Sequence, residues 1–463
     1  MADRAIAVDL SVADAPGVPA VDVPALIDAQ KISAFQIRVA LLCAAVVFMD
    51  GFDTQAIGYV APTLSKAWSL RPGALGPAAS AGLVGLMLGA LLFSPIADRI
   101  GRKPVIIAST LAFGLFSLLT VTADTVQTLA LWRLATGLGL GGAMPNPIAL
   151  TCEFSPRRSR ATMVMVMFVG FSLGSAVGGG IAAQLVPLYG WTSVFVVGGV
   201  FPILLAPVLG RFLPESIRLL ALRAGAEHRV ADYLARINPA LRFAPGVRFD
   251  APEPRAAGFP VAQLFAEGRA GATLLLWAMF FTNLLVIYFC ATWLPTVINN
   301  TGVSVRLAVL VATLFQIGGI VGTLAVAVLI ARFGPYRVLA GSYFAAAVLI
   351  AAIGSAGARI ELIGPTVFAA GFCVVGGQIG ANALAAERYP TFIRATGVGW
   401  ALGIGRIGSI IGPLVGGVML ALAWDLPVIF RAGAVPMLIA AAAAFVMGQG
   451  PAAGRGSTAL PVA

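Results

Sequence analysis

Four charged residues lie where charge is hardest to tolerate. Asp50, Asp53, Arg133 and Arg406 each sit inside a long apolar run. If those runs cross a membrane, a charge at the centre costs at least about 2.5–3.5 kcal/mol, so each side chain must face a partner or a polar cavity. Asp50 and Asp53 are three residues apart and share one helical face. Two carboxylates that close in a low dielectric resist ionising together unless a cation approaches, which makes them candidate proton carriers. Arg133 and Arg406 are permanent cations whose planar forks suit a carboxylate. One arginine could balance the aspartates while the other holds an anionic ligand. A structural ion pair between Arg133 and the aspartates is the alternative.

Amides in apolar runs are the next signal, because an unpaired amide is costly in hydrocarbon. Asn146, Asn283, Gln316, Gln378 and Asn382 qualify. Aromatic residues such as Tyr288 and Trp400 could contact a ligand, although most will pack or anchor. The lone histidine, His228, lies in a polar stretch, and the four cysteines are widely separated. No His-based metal site or catalytic triad can be built from this inventory, and no cofactor is expected.

The elements that position these residues follow from composition. The chain has 463 residues, 59% hydrophobic and 11% charged, with a mean hydropathy of +0.95. A soluble domain carries about 25% charged residues, and single cores stop growing beyond about 250–300 residues. A soluble enzyme, a disordered chain and a nucleic-acid binder are excluded. Apolar stretches near 38–61, 77–97, 103–122, 127–151, 162–186, 191–212, 271–297, 304–331, 335–356, 361–386, 395–421 and 427–448 each approach the ~20 residues a helix needs to cross the bilayer. The expected fold is all-α and integral to the membrane, with twelve transmembrane helices in two six-helix repeats. The divisions are a tail over 1–36, a first bundle over 37–212, a central loop over 213–270, a second bundle over 271–448 and a tail over 449–463.

Net charge is +11, and topology explains it. With both termini on the cytoplasmic side, the outer segments hold only Lys66, Arg71, Arg306, Arg359 and Arg431. Nearly all other basic residues fall on the cytoplasmic side, as the positive-inside rule requires. The repeat is legible too. Glu153-Phe-Ser-Pro156-Arg-Arg-Ser-Arg160-Ala-Thr162 returns as Glu387-Arg-Tyr-Pro390-Thr-Phe-Ile-Arg394-Ala-Thr396, and Gly174, Ser175 and Gly178 return as Gly408, Ser409 and Gly412. Parallel repeats of this size belong to transporters that rock around a central site. Arg406 has Ser172 as its counterpart, so its charge is not part of the shared scaffold. The short loop Asp98-Arg99-Ile-Gly101-Arg102-Lys103 is either a positive-inside turn or a gate. As a gate, Asp98 would pair with arginines on the neighbouring half in the outward-facing state, or with Arg160 or neighbouring helix ends, and part on switching. Pro214-Glu215-Ser216 can start a short helix carrying Arg218, Arg223, Arg229 and Arg236, read as a solvated helix near lipid headgroups.

With these motifs in place, the sequence resembles the major facilitator superfamily, on Ala97-Asp98-Arg99-Ile-Gly101-Arg102-Lys103 after the second span. Asp50-Gly51-Phe52-Asp53-Thr54 narrows the resemblance to the aromatic acid:proton symporter family. Arg133 to Asn146, Arg394 to Trp400 and Gly405-Arg406 support it. The resemblance covers nearly all of 36–448. It implies proton-driven import of an aromatic carboxylate of the hydroxybenzoate class, 4-hydroxybenzoate or protocatechuate first, across a bacterial inner membrane by a monomer. It also implies roles for Asp50, Asp53, Arg133, Glu153, Arg394 and Arg406. Arg160 and Glu387 complete the expected gating set, and the positions of Asn146, Gln316, Gln378, Asn382 and Trp400 within apolar runs make them the expected lining of the substrate path. The loop after the eighth span has Ala331 where an acid is usual, so gating is expected to be asymmetric. Another organic anion, such as a muconate-like dicarboxylate or a phenylpropionate-type acid, remains open, as do export and an aromatic-acid sensor.

Overall fold

The computed structural model describes residues 21–223, 225–243, 247–251, 261–356, 359–389 and 394–449, with the side chains of 161, 386, 387, 394 and 395 outside that description. A short strand β1 (Val21–Asp22) and helix α1 (Val23–Ala29) come first. The first bundle follows: α2 (Ala34–Ala67), α3 (Gly76–Ile100), α4 (Arg102–Thr120), α5 (Val126–Ala143), α6 (Pro145–Phe154), α7 (Arg157–Tyr189) and α8 (Thr192–Phe212). Helices α9 (Ile217–Ala221) and α10 (Glu227–Ile237) and strand β2 (Phe249–Asp250) lie between the bundles. The second bundle is α11 (Ala270–Asn300), α12 (Val305–Phe333), α13 (Pro335–Ser355), α14 (Ile360–Arg388), α15 (Arg394–Ala421) and α16 (Leu426–Gln449).

Among the described residues eleven helices are long and apolar enough to cross a membrane. The fourth expected span is not one helix. It breaks at Met144 into α5 and α6. Pro145 and Pro147 lack the N–H groups that the preceding turn would bond, and two such losses in three residues interrupt the helix there. With α5 and α6 counted as one broken span, each bundle has six. The two bundles pack alike: α2 on α7 as α11 on α15, α3 on α5 as α12 on α14, and α4 on α8 as α13 on α16. A Cβ at Gly174 would strike the Phe48 carbonyl, and one at Gly408 the Phe281 carbonyl. The repeat in sequence is therefore a repeat in space.

Residues 21–36 of the expected tail form structure of their own. β1 pairs in parallel with β2, Val21 opposite Phe249. Val23 and Ile27 are buried against Leu213, Ile217, Val230 and Leu234. Asp28 pairs with Arg157 at 3.1 Å, and the Gln30 carbonyl accepts from Arg158 at 2.6 Å. The amphipathic face of α10 turns its apolar side into this cap, and Phe35, Phe154 and Tyr233 meet at ring distances of 5.6–6.0 Å. Tail and central loop thus form one cap on the first bundle. The central-loop helix expected to be solvated is packed instead, beside a strand whose partner is more than two hundred residues away in sequence.

The halves meet at the end of the bundle remote from the termini. There one apolar core runs through both halves, from Tyr59 and Leu75 to Trp293 and Phe315. Near the termini the first half keeps its own core with the cap. The Ser80 hydroxyl donates to the Ile410 carbonyl across the halves at 2.8 Å. Gly58 is where α2 and α11 come closest, and a Cβ there would overlap the Ala291 carbonyl. Towards the terminus-bearing end, Leu91, Leu324, Val328 and Trp400 are exposed. The bundle is closed at the far end, and towards the termini the first half keeps a core separate from that of the second.

Gly58→Val is expected to keep the far end from closing while each half packs normally. A cysteine introduced by Ser80→Cys should then react with maleimide at least tenfold faster in detergent than in the Gly58 protein. An equal rate would show that Gly58 does not set the closure.

Candidate functional site

Helix α5 reaches α2 because Gly137 lets it lie against α3, where a Cβ would overlap the Gly82 carbonyl. That approach delivers Arg133 to Asp53. Its Nη1 lies 2.9 Å from Asp53 Oδ2 and donates to Oδ1 at 3.1 Å. Its Nη2 donates to the Asp53 backbone carbonyl at 3.1 Å. Ser117 Oγ adds a bond to Oδ1 at 3.3 Å, and the Phe195 ring lies 5.7 Å below the guanidinium. The Asp53 side chain is fully buried and that of Arg133 is 4% exposed. A buried pair with extra hydrogen bonds is the form in which charge survives in a low dielectric.

Asp50 is different. It is completely buried, and its Oδ1 accepts from Thr54 Oγ1 at 3.0 Å, one turn on. Its Oδ2 has no hydrogen-bond partner among the described residues. Arg406 supplies the opposing field at longer range. The Arg406 guanidinium donates to Tyr288 Oη at 3.3 Å and to Met144 Sδ at 3.0 Å. Met144 sits at the α5–α6 break in the other half, so Arg406 bridges the halves through neutral atoms. A cleft below the closed end is lined by Thr54, Leu83, Arg133, Tyr288 and Thr292. The arrangement offers one committed ion pair, one buried carboxyl with a free oxygen and one cation held by neutral groups.

The amides separate into different settings. Asn146 Nδ2 donates to the Gly142 carbonyl at 2.8 Å, so it completes the helix break. Gln316 is buried on α12. Asn283, Gln378 and Asn382 form a chain: Asn283 Nδ2 to Gln378 Oε1 at 2.8 Å, and Gln378 Nε2 to Asn382 Oδ1 at 3.2 Å. Trp400 stacks on Trp277 at 5.7 Å, six residues along α15 from Arg406, about 9 Å at helical rise.

A second polar cluster lies at the terminus-bearing end. Arg102 Nη2 is 3.0 Å from Glu153 Oε1 and 3.7 Å from Asp98, whose side chain is largely exposed. Glu215 Oε1 accepts from the backbone N–H groups of Arg102 and Lys103 at 2.8 and 3.2 Å, at the start of α4. A carboxylate there complements the helix dipole. Gly101 has φ +123 and a Cβ on it would meet the Glu215 carboxylate, so glycine is required twice over. Ser216 Oγ donates to Glu153 Oε2 at 2.6 Å, and Arg223 donates to the Arg99 carbonyl at 2.7 Å. Burial pushes the Glu153 carboxyl above its usual range, although Arg102 pulls the other way. Arg160 donates to the Ser155 carbonyl at 3.5 Å, and Asp98 is paired to Arg102 in place of Arg160. The side chains of Glu387 and Arg394 lie outside the described residues. Sequence reading missed Glu215 and Ser216 as partners of this loop. Pro214-Glu215-Ser216 was the available signal, but its contacts are long-range.

A twice-repeated helical bundle, closed at one end around a charged central cleft, defines a secondary membrane transporter. Comparison with known proteins agrees. Residues 43–359 and 276–460 match the Major Facilitator Superfamily. The chain is 41% identical over 440 residues to a 4-hydroxybenzoate transporter of Pseudomonas aeruginosa, covering 94% of this chain and 98% of that one. It is 43% identical over 437 residues to a gallate transporter of Pseudomonas putida, covering 94% and 96%. A crystal structure of a D-xylose-proton symporter shares the fold, with a TM-score of 0.70 at 16% identity over 89% of this chain and 98% of that one. The chain belongs to the major facilitator superfamily. It is a transporter and not an enzyme.

Removing one partner of a buried pair costs about 3–5 kcal/mol, while removing both costs far less. Arg133→Leu should therefore lower the thermal unfolding midpoint in detergent more than Asp53→Leu/Arg133→Leu does. A double variant no more stable than the single one would assign the loss to packing instead.

Proposed function

We propose that this chain is a monomeric proton symporter that imports an aromatic acid of the hydroxybenzoate class, 4-hydroxybenzoate or a close relative, across a bacterial inner membrane. The observation that carries the reading is Arg406, a cation on α15 whose guanidinium hydrogen-bonds, among the described residues, only the neutral Tyr288 and, across the halves, the neutral Met144. A carboxylate offers the fork the bidentate partner it lacks. The names of the two similar transporters share that chemistry: an aromatic ring, a carboxylate and ring hydroxyls.

Asp53 is committed to Arg133, so Asp50 is the proton carrier. A proton on Asp50 removes the negative charge that faces Arg406. The cleft then has a net positive charge, which the incoming carboxylate cancels. The loaded, neutral site is the form that can occlude and rock, because moving an uncompensated charge through low dielectric is costly. Loss of the proton on the other side restores the Asp50 charge and expels the acid. The excess of Lys and Arg on the terminus-bearing side supports a cytoplasmic location for both termini. The bundle then stands open to the cytoplasm, the state in which the acid leaves. Asp98, Arg102 and Glu153, braced by Glu215, form the cytoplasmic gate. That gate tightens when the far end opens.

Uptake of labelled 4-hydroxybenzoate into vesicles under an imposed proton gradient tests the coupling. Asp50→Asn should lose gradient-driven accumulation by at least tenfold and keep exchange of internal for external substrate. Accumulation at the wild-type level would remove Asp50 from the coupling. Charged hydrogen bonds contribute about 1.5–3 kcal/mol, or about 10- to 150-fold. Arg406→Ala should weaken binding of 4-hydroxybenzoate by at least the lower figure and leave binding of 4-hydroxybenzamide within twofold. Equal loss of acid and amide would mean that Arg406 serves only packing.

A further inference from the structure

The second half contains a chain of three amides with a fixed polarity. Asn283 on α11 is completely buried. Its Nδ2 donates to the Val374 backbone carbonyl at 3.3 Å and to Gln378 Oε1 at 2.8 Å. A main-chain carbonyl can only accept, so it settles which end of the Asn283 amide faces α14. That choice propagates. With its oxygen occupied by Asn283, Gln378 turns its nitrogen to Asn382 Oδ1. Asn382, partly exposed, is left with its Nδ2 donors free of any acceptor among the described residues. The chain therefore ends in a donor and cannot end in an acceptor without breaking at Val374.

The chain lies at the depth of Arg406. Gly405 and Gly408, on either side of Arg406, pack against Phe280, Phe281 and Leu284, and Asn283 lies within that stretch of α11. Asn382 is one turn further towards the open end of the bundle. The face of α14 beside it, Val375 and Ile379, lines a cleft shared with Phe168 and Ser172 of the first half. Asn283 also keeps a cost that packing does not explain. Its Oδ1 is buried with no partner among the described residues. A side chain kept only to fill the α11–α14 seam would do better as leucine, which leaves no orphaned acceptor.

We propose that Asn283 is a positioning residue for substrate selectivity: it polarises Gln378 and Asn382 so that Asn382 presents an N–H donor to a ring oxygen of the aromatic acid. Arg406 holds the carboxylate, and the amide chain reads the hydroxyl oxygen at the other end of the ring. Unsubstituted benzoate leaves the donor unpaired and is disfavoured. This rests on the aromatic-acid reading of the function, and the experiment keeps the two apart.

The full-length protein is reconstituted in vesicles, and uptake of 4-hydroxybenzoate and of benzoate is measured for each variant. Wild type should prefer 4-hydroxybenzoate. A net hydrogen bond corresponds to about a 2- to 10-fold effect. Asn283→Leu, close to isosteric, should reduce the preference by about fivefold while benzoate uptake stays within twofold of wild type. A uniform fall in both, or an unchanged ratio, overturns the proposal, because a purely structural role cannot change the ratio. If Asn283→Leu fails to accumulate in the membrane, Gln378→Met breaks the same chain and is read in the same way. If wild type takes up neither acid, the aromatic-acid function falls and this inference with it. If wild type takes up both without preference, the inference alone falls.

Discussion

Hydrocarbon does not tolerate a lone charge, and the centre of this protein is organised around that constraint. The pair between Asp53 and Arg133 takes two of the four intramembrane charges out of play. It does so with redundancy: two contacts from Nη1, one from Nη2 to the main chain and a hydroxyl from Ser117. Such a pair is costly to form and more costly to break, which makes it a fixture of the first bundle. Because Arg133 is spent there, it cannot also neutralise Asp50. The two intramembrane charges left outside that pair are Asp50 and Arg406, one on each half.

That division has a mechanical consequence. Asp50 lies on α2 and Arg406 on α15, so charge compensation between them spans the interface that rocks. Arg406 touches the first half through Met144, at the place where the fourth span breaks. Broken spans supply polar backbone and unusual side-chain directions at the midplane of many transporters. Here Asn146 heals the break on its own side by bonding the Gly142 carbonyl, so the backbone cost is met locally.

The polar cluster at the terminus-bearing end is held differently. Its Arg102–Glu153 pair is largely buried, so both groups need further partners. Its order comes from convergence. Glu215 binds the start of α4, Ser216 binds Glu153, and Glu153 binds Arg102. The cap made by residues 21–36 and the central loop keeps those contacts on the first half. The cap moves with one bundle, and so leaves the cleft between the bundles free to open.

Much of this was legible from sequence because the bilayer acts on local composition. Length and hydropathy of each span, the basic bias of alternate loops and the recurrence of Glu-x-x-Pro-x-x-x-Arg-Ala-Thr are properties of short windows, and they determine an all-helical, twice-repeated membrane bundle. The four intramembrane charges were equally plain, since each interrupts an apolar run. Their partnership was not. Nothing in the one-dimensional spacing distinguishes Asp50 from Asp53 as the mate of Arg133, and only the Gly137–Gly82 approach of α5 to α3 selects Asp53. Asn283 and Gln378 likewise meet across two helices, and the direction of their hydrogen bonds depends on a carbonyl of Val374. The parallel pairing of β1 with β2 and the embrace of Gly101 by Glu215 also join residues far apart in sequence. Local chemistry determined which residues had to matter; close packing of distant helices decided which of them are paired and which remain free.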